Sequence, residues 1–125
     1  MLNTPPVFAV FVCMLTLRWV KKHGIAAIEK QNEEKAAMLY AEIDRNPLFT
    51  GTVQKEDRSK MNVCFVMNNQ GLEKQFLEFA EEHQVYGIKG HRAAGGFRAS
   101  IYNAMPLSSV RYLIDLMNEF EHKFI

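Results

Sequence analysis

The chain has 125 residues, 48% of them apolar, and a formal charge of +1, which fits one modest domain with a real core and is shorter than most complete folds that enclose a large cofactor. So balanced a charge excludes a general electrostatic attraction to nucleic acid or to anionic membrane, and any anion must be held locally. Cys13 and Cys64 lie outside any Cys-x-x-Cys spacing, which argues against a zinc site or a disulfide scaffold and for a reducing, cytoplasmic setting.

Met1-Leu2-Asn3 leads straight into Thr4-Pro5-Pro6 with no linker, so the chain reads as one that begins mid-protein. Thr4 suits an N-cap and Pro5 the first helical position, which predicts a helix over 5–22. Its apolar run, 7–17, is shorter than the about 20 residues a bilayer requires. Arg18, Lys21 and Lys22 follow that run, whereas a signal peptide carries its basic residues first. The run reads as a buried helix.

Gly24 ends or kinks this helix, and a second one follows to Asp44. Ile25, Ile28, Ala36, Leu39, Tyr40 and Ile43 share its apolar face, opposite Glu29, Lys30, Glu33 and Glu34. Asn46-Pro47 stops it, and the polar stretch up to Lys60 is a connection with one short strand near Thr52. A strand is expected over 61–67, then a turn at Asn68-Asn69-Gln70-Gly71, then a helix over 72–83 with Leu72, Phe76, Phe79 and Ala80 inward.

Two further strands are expected, over 85–89 and 97–102, the second with Phe97, Ala99 and Ile101 on one face and Arg98, Ser100 and Tyr102 on the other. Pro106 opens a last helix with Leu107, Val110, Ile114, Met117, Phe120 and Phe124 as its stripe. The second half is therefore β-α-β-β-α. With a hairpin between the last two strands and helices over one face, it makes an α+β two-layer sandwich around a small, mainly antiparallel sheet, preceded by a long helix.

Chemistry is concentrated between Gly87 and Asn103, where Arg92, Arg98, Lys89 and His91 share a stretch with four glycines. Glycine lets backbone approach a ligand, and arginine offers a planar fork that matches carboxylate or phosphate. A hairpin folding at 93–96 brings Arg92 and Arg98 to one neighbourhood, with Arg98 facing away from the core. Equally, the glycines can serve the turn alone while both arginines are solvated or paired with Glu81 and Glu82, and spacing leaves the two readings open.

A lone histidine such as His91 is more often structural than catalytic, and His23, His83 and His122 lack ligand spacing, so no metal is assigned. Gly87-Ile88-Lys89-Gly90 fits the G-x-x-G loop of RNA-binding modules, but follows a strand where that loop follows a helix. Neither a dinucleotide fingerprint nor a P-loop is present. Lys89 can be nominated as a Schiff-base lysine, but nothing in its flanks would desolvate it, and an ordinary surface lysine is the better reading.

Several segments together resemble the phosphoserine aminotransferases: Asn3-Thr4-Pro5-Pro6-Val7-Phe8, Arg58-Ser59-Lys60-Met61-Asn62-Val63, Gly90-His91-Arg92 with Gly95-Gly96, and Arg98-Ala99-Ser100-Ile101-Tyr102-Asn103-Ala104-Met105-Pro106. The resemblance covers the whole chain in order and spacing. It implies the C-terminal small domain, 1–125, of a fold type I pyridoxal phosphate enzyme, with the helix at 5–22 packing on a large domain outside this chain. The implied reaction passes an amino group between glutamate and phosphohydroxypyruvate, giving oxoglutarate and phosphoserine for serine synthesis and, in some bacteria, serving pyridoxine synthesis.

By the family pattern, Arg98 is the fork for the substrate α-carboxylate, and His91 and Arg92 help bind the phosphate or γ-carboxylate. Asn3 and Thr4 match residues that reach the cofactor phosphate in the neighbouring subunit of a homodimer, which suits the start of a helix. The bland alternative makes Thr4 an N-cap and nothing more. Leu2 departs from the aromatic residue that relatives often carry there. The family's Schiff-base lysine, the aromatic stacked on the cofactor ring and the aspartate paired with its nitrogen lie upstream and have no match here. The chain alone is therefore expected to hold no catalytic residue, to bind no cofactor and to be inactive. The competing classes are a stand-alone module that binds a phosphorylated metabolite or RNA, and a purely structural domain.

Overall fold

The computed structural model describes residues 3–93 and 95–124, so Leu2 and Ala94 lie outside the described residues. Its contacts divide the chain into two compact units, 1–31 and 32–125, and each is taken by itself.

In the first unit, helix α1 spans Val7–His23 and begins later than the expected Pro5. The cause is the proline pair: Pro6 disfavours helical backbone at Pro5, so the helix forms only beyond it. Pro6 occupies the N-cap position and no side chain caps the helix, which removes the capping role expected of Thr4. Gly24, at φ 82°, ends α1 with its N–H on the Val20 carbonyl at 2.8 Å.

Within this chain α1 buries none of its side chains and Phe8 is 80% exposed, so any cover for it would come from outside these residues. Val7, Phe8, Val10, Phe11, Val12, Leu15 and Leu17 go round the helix instead of forming one stripe, and such a helix needs cover on several sides. Among the described residues, no helix is long and apolar enough to cross a membrane.

Helix α2 spans Ile25–Arg45, as its period predicts. In the second unit, β1 (Phe49–Gly51), β2 (Asn62–Met67) and β3 (Phe97–Ser100) form one antiparallel sheet in the order β1-β2-β3. Cys64 pairs with Arg98 and Asn62 with Ser100. Period two sends Val63, Phe65, Met67, Phe97 and Ala99 into the core and leaves Asn62, Cys64, Arg98 and Ser100 on the other face.

Helices α3 (Glu73–Glu82) and α4 (Leu107–Phe124) complete the core. The Phe76 ring lies edge-on to Phe97 and Phe120, with centroids 5.2 and 5.1 Å apart. Full burial of such a ring stabilises by about 2–3 kcal/mol, so these rings fix the sheet against its helices. The inward stripe of α4 is Val110, Leu113, Leu116, Met117 and Phe120, rotated from the predicted one so that Phe124 is exposed.

The α+β architecture stands, but the strand expected over 85–89 shrinks to one antiparallel bridge between Lys89 and Phe97. Gln84 at φ 62° and Gly87 at φ 74° both adopt left-handed backbone, which breaks the extended run. Likewise β3 stops at Ser100, two residues before the expected Tyr102.

One ion cluster ties the connection after β1 back to α2. Arg58 grips both oxygens of Asp44 at 2.6 and 2.9 Å and stacks over the Tyr40 ring at 4.5 Å, while Lys55 lies 3.2 Å from Asp44. The Arg58 bond, reinforced by Lys55, pulls the Asp44 carboxyl from 3.8 down to about 2. The cluster's contribution is therefore whole above pH about 4 and is lost as pH falls toward 2. Asp44→Asn should flatten the acid loss of stability in that window by about 1 kcal/mol, the solvent-screened scale of an exposed pair. Urea unfolding at stepped pH measures the difference, and parallel curves for both proteins would refute it.

Candidate functional site

The hairpin before β3 is built on backbone. Arg98 N–H donates to the Ile88 carbonyl at 2.7 Å, Gly90 N–H to Gly96 at 2.7 Å, and Gly95 N–H to His91 at 2.9 Å. This closes a small loop at His91, Arg92 and Ala93. Two glycines make the closure possible: a Cβ on Gly90 would meet the Gly95 carbonyl oxygen at 2.0 Å, and one on Gly96 would meet the Phe65 carbonyl oxygen at 2.6 Å.

His91 and Arg92 are exposed on the loop, and Ala93 N–H donates to His91 Nδ1 at 3.3 Å. That contact leaves Nε2 as the nitrogen His91 presents to a ligand. Arg98 is exposed on the face opposite the core. Among the described residues its guanidinium has neither hydrogen bond nor ion pair, so the pairing with Glu81 or Glu82 weighed above is not formed. It lines a cavity of about 440 Å³ with Tyr86, Ser100, Met105, Ser109 and Tyr112.

The predicted trio thus shares one hairpin but not one cavity wall, since His91 and Arg92 do not line the Arg98 cavity. His91 sits three residues beyond Ile88, the backbone partner of Arg98, a distance of about 10 Å along extended chain. Asn3 and Thr4 lie ahead of α1 in the first unit, exposed and without side-chain hydrogen bonds among the described residues. Lys89 is exposed, and no group of three or more metal-ligating side chains occurs among the described residues.

Two residues that sequence reasoning missed support this site. Lys35 on α2 is fully buried, at 0% exposure, and donates to the carbonyls of Ile101, Tyr102 and Met105 at 3.0, 2.7 and 3.1 Å. Burial lowers its pKa, yet three acceptors match the three hydrogens of an ammonium, so the charged form is the one that fits. Asn62 accepts from Ser100 Oγ and from Tyr102 Oη, both at 3.1 Å. The signal for Lys35 was present, because it stands beside Ala36 and one turn before Leu39 on the apolar face of α2.

Comparison with known proteins bears on this arrangement. The sequence profile described as Aminotransferase class-V matches residues 1–113. A phosphoserine aminotransferase of Phocaeicola vulgatus is 59% identical over an alignment 125 positions long that covers 97% of this chain and 35% of that protein. The chain therefore spans about a third of the length of the curated relatives it matches. Among solved structures, a phosphoserine aminotransferase studied for radiation damage to its Schiff base superposes with TM-score 0.92 at 46% identity, over 97% of this chain and 35% of that one. A phosphoserine aminotransferase from Trichomonas vaginalis with pyridoxal phosphate bound superposes with TM-score 0.87 at 36% identity, over 94% of this chain and 34% of that one.

Proposed function

Because the chain belongs to the class-V aminotransferase family, we propose that it is the C-terminal portion of a phosphoserine transaminase. The whole protein would pass an amino group between glutamate and phosphohydroxypyruvate, serving serine synthesis and also pyridoxine synthesis, in the cytoplasm. The observation that carries this reading is Arg98: an unpaired guanidinium at a cavity of about 440 Å³, on the same hairpin as His91 and Arg92.

The two substrates share an α-carboxylate and differ at the other end, where one has a planar carboxylate and the other a phosphate. A rigid two-pronged donor suits the shared end, and Arg98 on a strand is such a donor. The far end calls for cations that adapt to either anion. His91 and Arg92, on a loop and reached by backbone freedom that only glycine allows, meet that need.

When bound, pyridoxal phosphate supplies the electron sink that lets the amino group pass between the two carbon skeletons. Asn3 and Thr4 would hold its phosphate in the neighbouring subunit of a homodimer, consistent with an exposed threonine that caps nothing. No buried lysine here is available to the cofactor: among the described residues only Lys35 is buried, and its protons go to carbonyls. The lysine that joins the cofactor would lie in the upstream two thirds. The chain by itself therefore binds and orients, and does not catalyse.

An RNA-binding module is not favoured. Its G-x-x-G loop joins helices, whereas Gly87-Ile88-Lys89-Gly90 enters a bridge to β3.

A chimaera in which this chain replaces the matching 35% of the Phocaeicola vulgatus relative tests the proposal. The chimaera should transaminate phosphohydroxypyruvate with glutamate, while the 125-residue chain alone should not. A folded chimaera that carries the cofactor absorbance but aminates only unphosphorylated oxoacids would overturn the reading.

A further inference from the structure

We propose that Lys35 is the positioning residue of the Arg98 cavity, its buried ammonium fixing the backbone of the cavity wall from behind. The inference rests on the reading of Arg98 as the carboxylate fork. Lys35 Nζ donates to Ile101, Tyr102 and Met105, and Ile101 and Met105 line the cavity together with Arg98. Tyr102 and Ser100 both donate to Asn62, two pairs along the sheet register from Cys64–Arg98 and on the same face. One side chain on α2 thus holds the segment that leaves β3 three residues beyond Arg98.

The chemistry explains why a cation stands there. Residues 101–105 belong to no helix or strand, and Pro106 offers no N–H to their carbonyls. Three carbonyl oxygens converge on one buried point, and an ammonium carries one hydrogen for each, where an amide of similar length carries two. Among the described residues no carboxylate pairs with Lys35, so carbonyl dipoles alone hold its charge. Asn32, one turn earlier on the same face, adds a bond from Nδ2 to Asn103 Oδ1 at 2.8 Å, giving the loop a fourth tether. Apolar packing can stabilise a helix contact as well as a buried ion does. What it cannot do is set the direction of three peptide groups.

In the chimaera, Lys35→Met should raise KM for glutamate and for phosphoserine by the same factor, about tenfold, with kcat changed by less than about threefold. The factor is shared because the α-carboxylate is shared. Absorbance of the bound cofactor should be unchanged, and Lys35→Gln, with two donors, should fall between. A role in stability alone would remove active protein, lowering the maximal rate at unchanged KM, and that result would overturn the proposal.

Two further measurements do not depend on turnover or on the Met variant folding. In the unsubstituted 125-residue chain, side-chain nitrogen NMR at neutral pH should show one lysine ammonium protected from exchange. Lys35→Gln should move the amide signals of Arg98, Ser100 and residues 101–105 while sparing α3. An unprotected ammonium, or shifts confined to α2, would sink the inference. If the unsubstituted chimaera fails to turn over the two substrates, the functional proposal falls, and Lys35 is still judged by these spectra.

Discussion

Arg98→Ala in the chimaera should lower kcat/KM for glutamate and for phosphohydroxypyruvate alike, by about a thousandfold, the effect of truncating a two-pronged partner of a bound carboxylate. The physical basis is an unopposed charge: Arg98 has no competing carboxylate among the described residues, so all of its hydrogen-bonding capacity is open to a ligand. Arg98→Lys should recover only part of the loss. An ammonium keeps the charge but not the planar fork, and it cannot reproduce two parallel bonds.

The contrast with the hairpin loop sharpens the test. Arg92→Ala and His91→Ala should weaken the phosphorylated substrate more than glutamate, because the proposed roles assign them to the end where the substrates differ. Steady-state kinetics with both substrates measure the pattern. If Arg98→Ala affects one substrate and spares the other, or if Arg92→Ala affects both equally, the assigned roles exchange or fail.

The parts of this molecule that local chemistry dictates were legible in the sequence. Alternation at Phe97, Arg98 and Ala99 predicted which side chains enter the core, and β3 has that pattern. Glycine spacing predicted a turn between Arg92 and Arg98, and the backbone bonds of Gly90 and Gly95 form it. Features that depend on distant partners were not legible. The strand over 85–89 fails because Gln84 just before it and Gly87 within it take left-handed conformations, the first of which no propensity foretells. The apolar run of the helix at 5–22 was legible, but what covers a face lies beyond local sequence, and within this chain α1 has no buried side chain. Lys35 was passed over because charge outweighed position: a lysine inside an apolar stripe is exceptional, and only the three carbonyls 66 to 70 residues away explain it.

Adding a methyl group at either of two glycines should disrupt the hairpin by backbone collision, and a third glycine provides the control. At Gly90 a Cβ would lie 2.0 Å from the Gly95 carbonyl oxygen and 2.8 Å from that of Gly96. Both are backbone atoms bound into the loop, so no rotamer change relieves the clash. At Gly96, with φ at 60°, the Cβ would meet the Phe65 carbonyl oxygen at 2.6 Å, on the neighbouring strand β2. Gly90→Ala and Gly96→Ala should each destabilise by about 3 kcal/mol, the scale of overpacking, to which left-handed backbone adds at Gly96 alone. Gly95 is also left-handed, at φ 71°, but a Cβ there meets nothing within 4 Å. Gly95→Ala should therefore pay for conformation alone, about 1 kcal/mol. Urea unfolding ranks the three variants, and an equal cost at all three would mean that close approach does not explain Gly90 and Gly96. The ranking also bears on function, because Gly90 and Gly96 bond to each other across the base of the loop that carries His91 and Arg92. Under the proposed roles, a variant that opens this base should lose phosphate discrimination before it loses the α-carboxylate grip of Arg98, whose strand also pairs with β2 at Cys64.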